Sequence, residues 1–164
     1  MSDQFVHLHL HSQYSLLDGA IKFDELFDEV EKQEMSSVAL TDHGNLFGAY
    51  DFYKKAKDKG IKPIVGCELY IAKDHLNKSS ENNKTHHLTV LAKNLQGYEN
   101  LCTLVSIGHL KGFYRKPRID RKLLFEYSDG LIVLSGCLNG EVCHNILKGR
   151  KDEAIKIAAE YKNI

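Results

Sequence analysis

The chain has 164 residues, which is enough for one domain with a hydrophobic core. Its 22 basic and 22 acidic residues cancel, so the overall charge indicates neither a nucleic-acid nor a membrane partner, and DNA binding would need a local basic patch. No apolar run approaches the ~20 residues of a membrane helix, and the cysteines lack CxxC spacing, so we expect free thiols in a reducing cytoplasm.

The hydrophobic pattern alternates strands with helices, which predicts βα units and a largely parallel sheet. Strands are predicted at residues 5–11, 37–40, around 64–65, 88–92 and 131–134. Helices are predicted at 23–34, 46–59, 97–110, 120–127, 142–147 and 152–162. Residues 73–85 are polar and predict a solvated loop. The last helix has neither a cap nor a polar tail, so we expect a piece of a longer protein; a domain that ends in a helix is the alternative.

Three histidines alternate with aliphatic residues in the first predicted strand. Successive side chains of a strand point to opposite faces, so His7, His9 and His11 would share one face. Two histidines at this spacing can bind one cation, and three buried imidazoles without partners would be costly. The alternative is an edge strand with three exposed histidines.

Further candidate ligands are expected at the ends of later strands, where α/β folds build their sites. His43 follows the second strand, and Asp42 could orient it as a hydrogen-bond acceptor. Glu68 follows the third strand, and Gly66 would let the backbone approach the site. Asp18 lies in an Asp-Gly turn. A plain turn at Asp18 or His43, or an exposed Glu68, is the alternative in each case.

A thiol, a histidine and a basic loop complete the candidates. Cys137 could be a thiolate ligand or a buried free cysteine. Alternation places His87, and not His86, on the face of its strand that carries Thr89. Basic residues interleaved with aromatic ones suit a DNA backbone and stacked bases, with a solvated loop as the alternative. These basic residues are Lys111, Arg115, Lys116 and Arg118.

Five blocks resemble the polymerase and histidinol phosphatase (PHP) domain: FVHLHLHSQYSLLDG, VALTDHGNLFGAYDFYKKAKDKGIKPIVGCELYIA, HHLTVLAKN, GFYRKPRID and GLIVLSGCLNGEV. They resemble most closely its version at the N-terminus of the alpha (catalytic) subunit of bacterial DNA polymerase III. The resemblance implies an α/β fold, a distorted (β/α)7 TIM-like barrel, over residues 1–164. A late Asp-x-His block of the family is missing, so we expect the barrel to be truncated before its last units, with the polymerase domains absent.

The resemblance also implies a site with two or three divalent cations. Its ligands would be His9, His11, Asp18, His43, Glu68, His87 and Cys137, while His7 lies outside the family's ligand pattern. Imidazole and carboxylate ligands together suit Zn, Mn or Fe. Clustered cations activate water and clamp the oxygens of a phosphoester displacement. The catalytic residues would be His9, His11, His43 and Glu68.

The implied function is that of a DNA-directed DNA polymerase, a nucleotidyltransferase of DNA replication, as the full-length protein. The domain itself would be a metal-dependent phosphoesterase with a 3′–5′ exonuclease role in proofreading. Expected partners are DNA, a proofreading exonuclease subunit and the sliding clamp, without a membrane. One alternative is a scaffold that stabilises the polymerase and docks the proofreading subunit. Another is a stand-alone phosphatase acting on a small phosphomonoester.

Overall fold

The computed structural model describes residues 5–80, 83–136 and 138–164. These residues form the helices α1 (Phe23–Lys32), α2 (Ala49–Asp58), α3 (Leu95–Leu110), α4 (Arg121–Glu126), α5 (Glu141–Leu147) and α6 (Lys151–Tyr161). They also form the strands β1 (Ser37–Leu40), β2 (Lys62–Ala72), β3 (Thr85–Ala92), β4 (Arg118–Asp120) and β5 (Leu131–Leu134). Within this described part of the chain, no helix has both the length and the apolar character needed to cross a bilayer.

The strands form one mixed five-stranded sheet. β1, β2, β3 and β5 are hydrogen-bonded in that order, and β4 pairs with β2. β1 and β4 run parallel to β2, whereas β3 is antiparallel to both β2 and β5. The α/β class is confirmed, and the sheet path is open between β1 and β5, as in the incomplete barrel that the resemblance implies. The prediction of a largely parallel sheet is wrong for β3, because a polar loop and not a crossover helix joins it to β2.

The segment at residues 5–11 is not a regular strand, although a strand was expected there. It lies along β1, since Ala39 N donates to His7 O at 2.9 Å and Thr41 N donates to Leu10 O at 2.9 Å. Leu10 N in turn donates to the side-chain Oγ1 of Thr41 at 2.8 Å. A side-chain acceptor therefore takes the place of a main-chain carbonyl, and the ladder remains incomplete.

Two apolar clusters hold the sheet in place. One packs α1 and α2 against β1 around Phe27 and Phe52, whose ring centroids lie 5.4 Å apart. The other packs α3 and α4 against the sheet around Leu101, Leu104 and Leu124, which are fully buried. Each such side chain contributes about 1.5–3 kcal/mol through burial. The sheet is therefore a firm support for side chains on its opposite, polar face.

Capping residues account for the helix boundaries. α3 begins two residues earlier than predicted, at Leu95, because the side chain of Asn94 accepts from Gly97 N at 2.9 Å. α2 begins three residues later than predicted, because Asn45 Oδ1 accepts from Phe47 N at 3.1 Å and holds a turn there. In α1, the residues expected at helical spacing are buried: Phe23, Leu26, Phe27 and Val30.

Candidate metal centre

Four imidazoles converge on the carboxylate of Glu68. Nε2 of His9 lies 2.5 Å from Oε2 of Glu68, and Nε2 of His11 lies 3.3 Å from the same oxygen. Nδ1 of His43 lies 3.0 Å from Oε1, and Nδ1 of His87 lies 2.6 Å from it. The fold thus brings side chains from four separate segments to one point on the polar face of the sheet.

Glu68 lies inside β2 and not after its end, which corrects the expectation from sequence. It is 2% exposed, and its neighbour Cys67 faces the opposite side, in the apolar core. The role expected for Gly66 also changes. A Cβ at Gly66 would lie 2.6 Å from both Leu91 Cδ2 and Val90 O of β3, so the close packing of two strands requires this glycine, and not an approach of the backbone to the site.

Asp18 extends the cluster towards solvent. Nε2 of His43 lies 2.8 Å from Oδ2 of Asp18, and Nδ1 of His11 lies 3.6 Å from the same oxygen. Two groups with metal-ligand spacing result, His9–His11–Glu68 and His11–Asp18–His43, with ligand atoms within 4.8 Å of one another in each. Because His11 belongs to both groups, two cations held by these groups would share it as a ligand.

Asp42 holds part of the site in place through hydrogen bonds that the sequence did not predict. It is 1% exposed and accepts hydrogen bonds from Ser12 N at 2.7 Å, Ser12 Oγ at 2.8 Å and Ser15 Oγ at 2.7 Å. Ser15 Oγ also accepts from His43 N at 3.1 Å. The sequence suggested that Asp42 orients the His43 ring, and the structure corrects this. Asp42 instead holds the turn between His11 and Asp18 against the end of β1. The only sequence hint was the presence of two serines, Ser12 and Ser15, within four residues after His11.

The charges of the cluster reinforce one another. Burial acts to raise the pKa of Glu68, but the contacts with the four imidazoles outweigh burial and hold this pKa below its usual range. The contact with Glu68 raises the pKa of His43; burial opposes this shift, and Asp18 adds to it. The hydrogen bond from His43 lowers the pKa of Asp18. The carboxylates thus attract positive charge, and cation binding at such a cluster is coupled to proton release.

The donor atoms fit a divalent cation. Within the described residues, Nδ1 of His43 and Oε1 of Glu68 are buried without a hydrogen bond of good geometry, and they lie 3.0 Å apart. Imidazole nitrogen and carboxylate oxygen are ligand atoms of Zn, Mn and Fe. A cation shared by the two side chains would satisfy both atoms and neutralise the buried carboxylate.

Two other histidines lie outside the cluster around Glu68. His7 is exposed, contacts the ring of Phe5 at 4.8 Å and lies outside both ligand groups. His86 turns away from Glu68, and its Nδ1 lies 3.0 Å from Asn139 O. Cys137 falls outside the described residues, so its role as a ligand remains a prediction.

The basic loop divides into exposed residues and one buried residue. Arg118 is fully buried, and its guanidinium donates to Gly112 O at 3.0 Å and to Asn77 O at 3.1 Å. The prediction that Arg118 contacts DNA is therefore wrong, because its donors hold backbone carbonyls of two loops. Three predicted DNA contacts remain exposed: Lys111, Arg115 and Lys116.

A third group of potential ligands has a structural role. Nδ1 of His75 lies 2.5 Å from Oδ2 of Asp120, whose Oδ1 caps α4 by accepting from Leu123 N at 2.9 Å. Asp74 accepts from Leu76 N at 2.9 Å. These bonds fasten the loop after β2 to the start of α4.

Bacterial proteins of known name are similar to this chain in sequence. It is 51% identical over 170 residues to DNA polymerase III subunit alpha of Helicobacter pylori, covering 98% of this chain and 14% of that protein. It is 52% identical over 154 residues to the protein of the same name from Borreliella burgdorferi, covering 92% of this chain and 13% of that protein. The chain thus spans about one seventh of the length of these relatives.

Two solved structures are similar to part of the chain. An amidohydrolase from Chromobacterium violaceum is 26% identical with a TM-score of 0.45, covering 63% of this chain and 33% of that one. A predicted metal-dependent phosphoesterase from Bifidobacterium adolescentis is 17% identical with a TM-score of 0.46, covering 63% and 32%. The family model that describes the PHP domain matches residues 7–164. The chain therefore belongs to the PHP domain family.

Proposed function

We propose that this chain is the N-terminal region of a DNA polymerase III alpha subunit and that its metal centre hydrolyses phosphodiester bonds at the 3′ end of DNA. The observation that carries this proposal is the convergence of His9, His11, His43 and Glu68, with ligand atoms 2.5–3.3 Å apart at the Glu68 carboxylate. The relatives at 51% and 52% identity support the link to the polymerase. Polymerisation itself would then reside in the part of the protein beyond this chain.

The proposal includes two cation positions. His9, His11 and Glu68 would hold one cation, and His11, Asp18 and His43 would hold the second. We propose Zn, Mn or Fe, the metals that suit mixed imidazole and carboxylate ligands. When bound, paired cations supply an activated water and stabilise both oxygens of a phosphoester displacement.

His87 and Cys137 complete the proposed ligand set. Nδ1 of His87 lies 2.6 Å from Oε1 of Glu68, whereas His9 contacts Oε2, and His87 would join a further cation there. Cys137 would add a thiolate, the ligand type that favours zinc-like metals.

The exposure of the proposed ligands supports one direction for substrate entry. Asp18 is 53% exposed and His9 is 37% exposed, whereas Glu68 is 2% exposed. The cluster is therefore open towards Asp18 and His9 and closed by the sheet beneath Glu68. A phosphodiester approaching from the open side meets the ligands without rearrangement of the sheet.

The proposal is tested with the full-length subunit, a 3′-labelled DNA strand and added Mn or Zn. We expect nucleotide release that is lost in His9→Ala and in His43→Ala, while the polymerase activity of both variants persists. Nucleotide release by both variants at the rate of the parent protein would contradict the proposal. Binding of a separate proofreading subunit without any metal-dependent hydrolysis would favour the scaffold alternative instead.

The proposed partners follow from the same assignment. They are DNA, a proofreading exonuclease subunit and, through the full-length chain, the sliding clamp. Bacterial chromosomes are replicated in the cytoplasm, so we propose that location for this protein.

A further inference from the structure

We propose that a rim formed by Phe47, His109, Phe113 and Lys116 binds the 3′-terminal nucleotides of single-stranded DNA beside the metal centre. Phe47 and Phe113 would stack on bases, and Lys116 would contact a phosphate. This inference deepens the proposed function, on which it rests for the identity of the substrate.

The aromatic row of the rim consists of two exposed phenylalanines and the half-buried His109. The ring of His109 contacts both phenylalanines, with its centroid 6.2 Å from that of Phe47 and 6.2 Å from that of Phe113. Phe47 is 71% exposed and Phe113 is 47% exposed. Exposed phenylalanines are costly in water, and neighbouring aromatic faces of this kind are the surfaces on which unpaired bases stack.

The row is attached directly to the metal centre. Nε2 of His109 donates to Gly44 O at 2.8 Å, and Gly44 N donates to Glu68 O at 2.9 Å. A Cβ at Gly44 would lie 2.7 Å from Cγ of Pro117, so the basic loop packs tightly against the backbone next to His43. Two hydrogen bonds and one close contact therefore connect the rim to the backbone at His43 and Glu68, which are two of the proposed ligands.

Lys116 supplies positive charge at the same edge. Its Nζ lies 4.4 Å from the ring centroid of Tyr70. The Tyr70 ring also contacts His43, stacked at 6.1 Å, and His87, edge-on at 5.2 Å. In the part of the chain that the structure describes, Lys116 has no carboxylate within 4.0 Å. A single tyrosine ring thus separates its ammonium group from two proposed ligands, and the charge remains available for a phosphate.

The chemistry of the rim favours a single strand over a duplex. Base stacking on aromatic side chains requires unpaired bases, and it tolerates any sequence because every base has a π-face. Lys116 and the exposed Arg115 and Lys111 suit a phosphate backbone. A strand that stacks its last bases on Phe47 and Phe113 would present its terminal phosphodiester to the ligands behind Gly44.

Photocrosslinking of the full-length protein tests the rim without requiring hydrolysis. A single-stranded oligonucleotide with 5-iodouracil near its 3′ end is irradiated in EDTA, and the crosslinked peptides are mapped by mass spectrometry. We expect crosslinks at Phe47 or Phe113 and roughly a tenfold lower yield in the Phe47→Leu/Phe113→Leu double variant. Tyr53→Leu, an exposed aromatic residue of α2 outside the rim, is the matched control and keeps the full yield.

The charge is tested separately by salt titration of strand binding. Log affinity falls as log salt rises, and Lys116→Ala should reduce the magnitude of this negative slope by about 0.7. Lys57 is an exposed lysine of α2, and Lys57→Ala should leave the slope unchanged. Crosslinks confined to other regions, or equal yields with a blunt duplex, overturn the rim. If the rim crosslinks but no metal-dependent hydrolysis is found, the proposed function fails and the rim stands. If hydrolysis depends on His9 but no crosslink forms at the rim, the rim proposal fails and the proposed function stands.

Discussion

His43 and Glu68 form a parallel bridge just beyond the end of β1, and their side chains meet with Nδ1 and Oε1 3.0 Å apart. The backbone makes this pairing through Glu68 N, which donates to Asp42 O at 3.0 Å, and Gly44 N, which donates to Glu68 O at 2.9 Å. Two proposed ligands are thus positioned by the sheet itself. Ligands on rigid elements keep their geometry better than ligands on loops.

His11 is the ligand that both groups share, so its removal should affect both cation positions. We expect His11→Ala to lose most of the bound metal, measured by plasma mass spectrometry after dialysis against trace Zn or Mn. His7→Ala is the matched control, because His7 comes from the same segment but lies outside both groups. Equal metal content in the two variants would argue against a shared ligand.

Asp42 should contribute strongly to stability. Asn in its place offers one acceptor oxygen instead of two, so at least one of three buried hydrogen bonds from Ser12 and Ser15 is lost. We expect Asp42→Asn to lower the free energy of unfolding by about 2–3 kcal/mol. Urea denaturation in EDTA measures this, and the exposed Asp58→Asn should remain within about 0.5 kcal/mol of the parent.

Arg118 should matter for folding and not for DNA contact. Its Arg118→Met variant leaves the carbonyls of Gly112 and Asn77 without their buried donor. We expect a loss of about 2–4 kcal/mol in the free energy of unfolding, against less than about 0.5 kcal/mol for the exposed Arg115→Met. A fully stable Arg118→Met protein would show that the guanidinium is dispensable for the loops.

The His75–Asp120 pair predicts a pH dependence of stability. Burial acts to raise the pKa of Asp120, but the hydrogen bonds from the His75 side chain and from Leu123 N and His75 N, together with the charge of His75, outweigh burial and lower this pKa. A depressed folded-state pKa contributes stability that is present above the unfolded pKa and is lost as the pH falls through the folded pKa. We therefore expect Asp120→Asn to be less stable by about 1 kcal/mol near neutral pH. The difference in the free energy of unfolding between the parent and Asp120→Asn, measured by urea denaturation, should shrink below about pH 4. A difference that stays constant down to about pH 2 would contradict the role of the Asp120 carboxylate.

The sequence predicted which side chains come together at Glu68 better than it predicted the residues that hold them in position. Alternation of histidine with aliphatic residues predicted that His9 and His11 lie on the same side, and both contact Glu68, although Thr41 prevents a regular strand there. Alternation also separated His87 from His86. By contrast, the burial of Arg118 depends on carbonyls that only the folded loops bring together, and the hydrogen bonds of Asp42 depend on a turn that periodicity does not encode. The sequence therefore predicted features that depend on a pattern within one segment, but it did not predict hydrogen bonds between side chains and distant segments.

Anomalous diffraction from crystals of the metal-loaded protein tests the central claim most directly. Data collected on both sides of the Zn or Mn absorption edge locate the cations without reference to activity. We expect one peak between His9, His11 and Glu68 and a second between His11, Asp18 and His43, each about 2.0–2.2 Å from its ligand atoms. Peaks elsewhere on the molecule, or an ordered cluster without any peak at saturating metal, would contradict a metal centre built on Glu68.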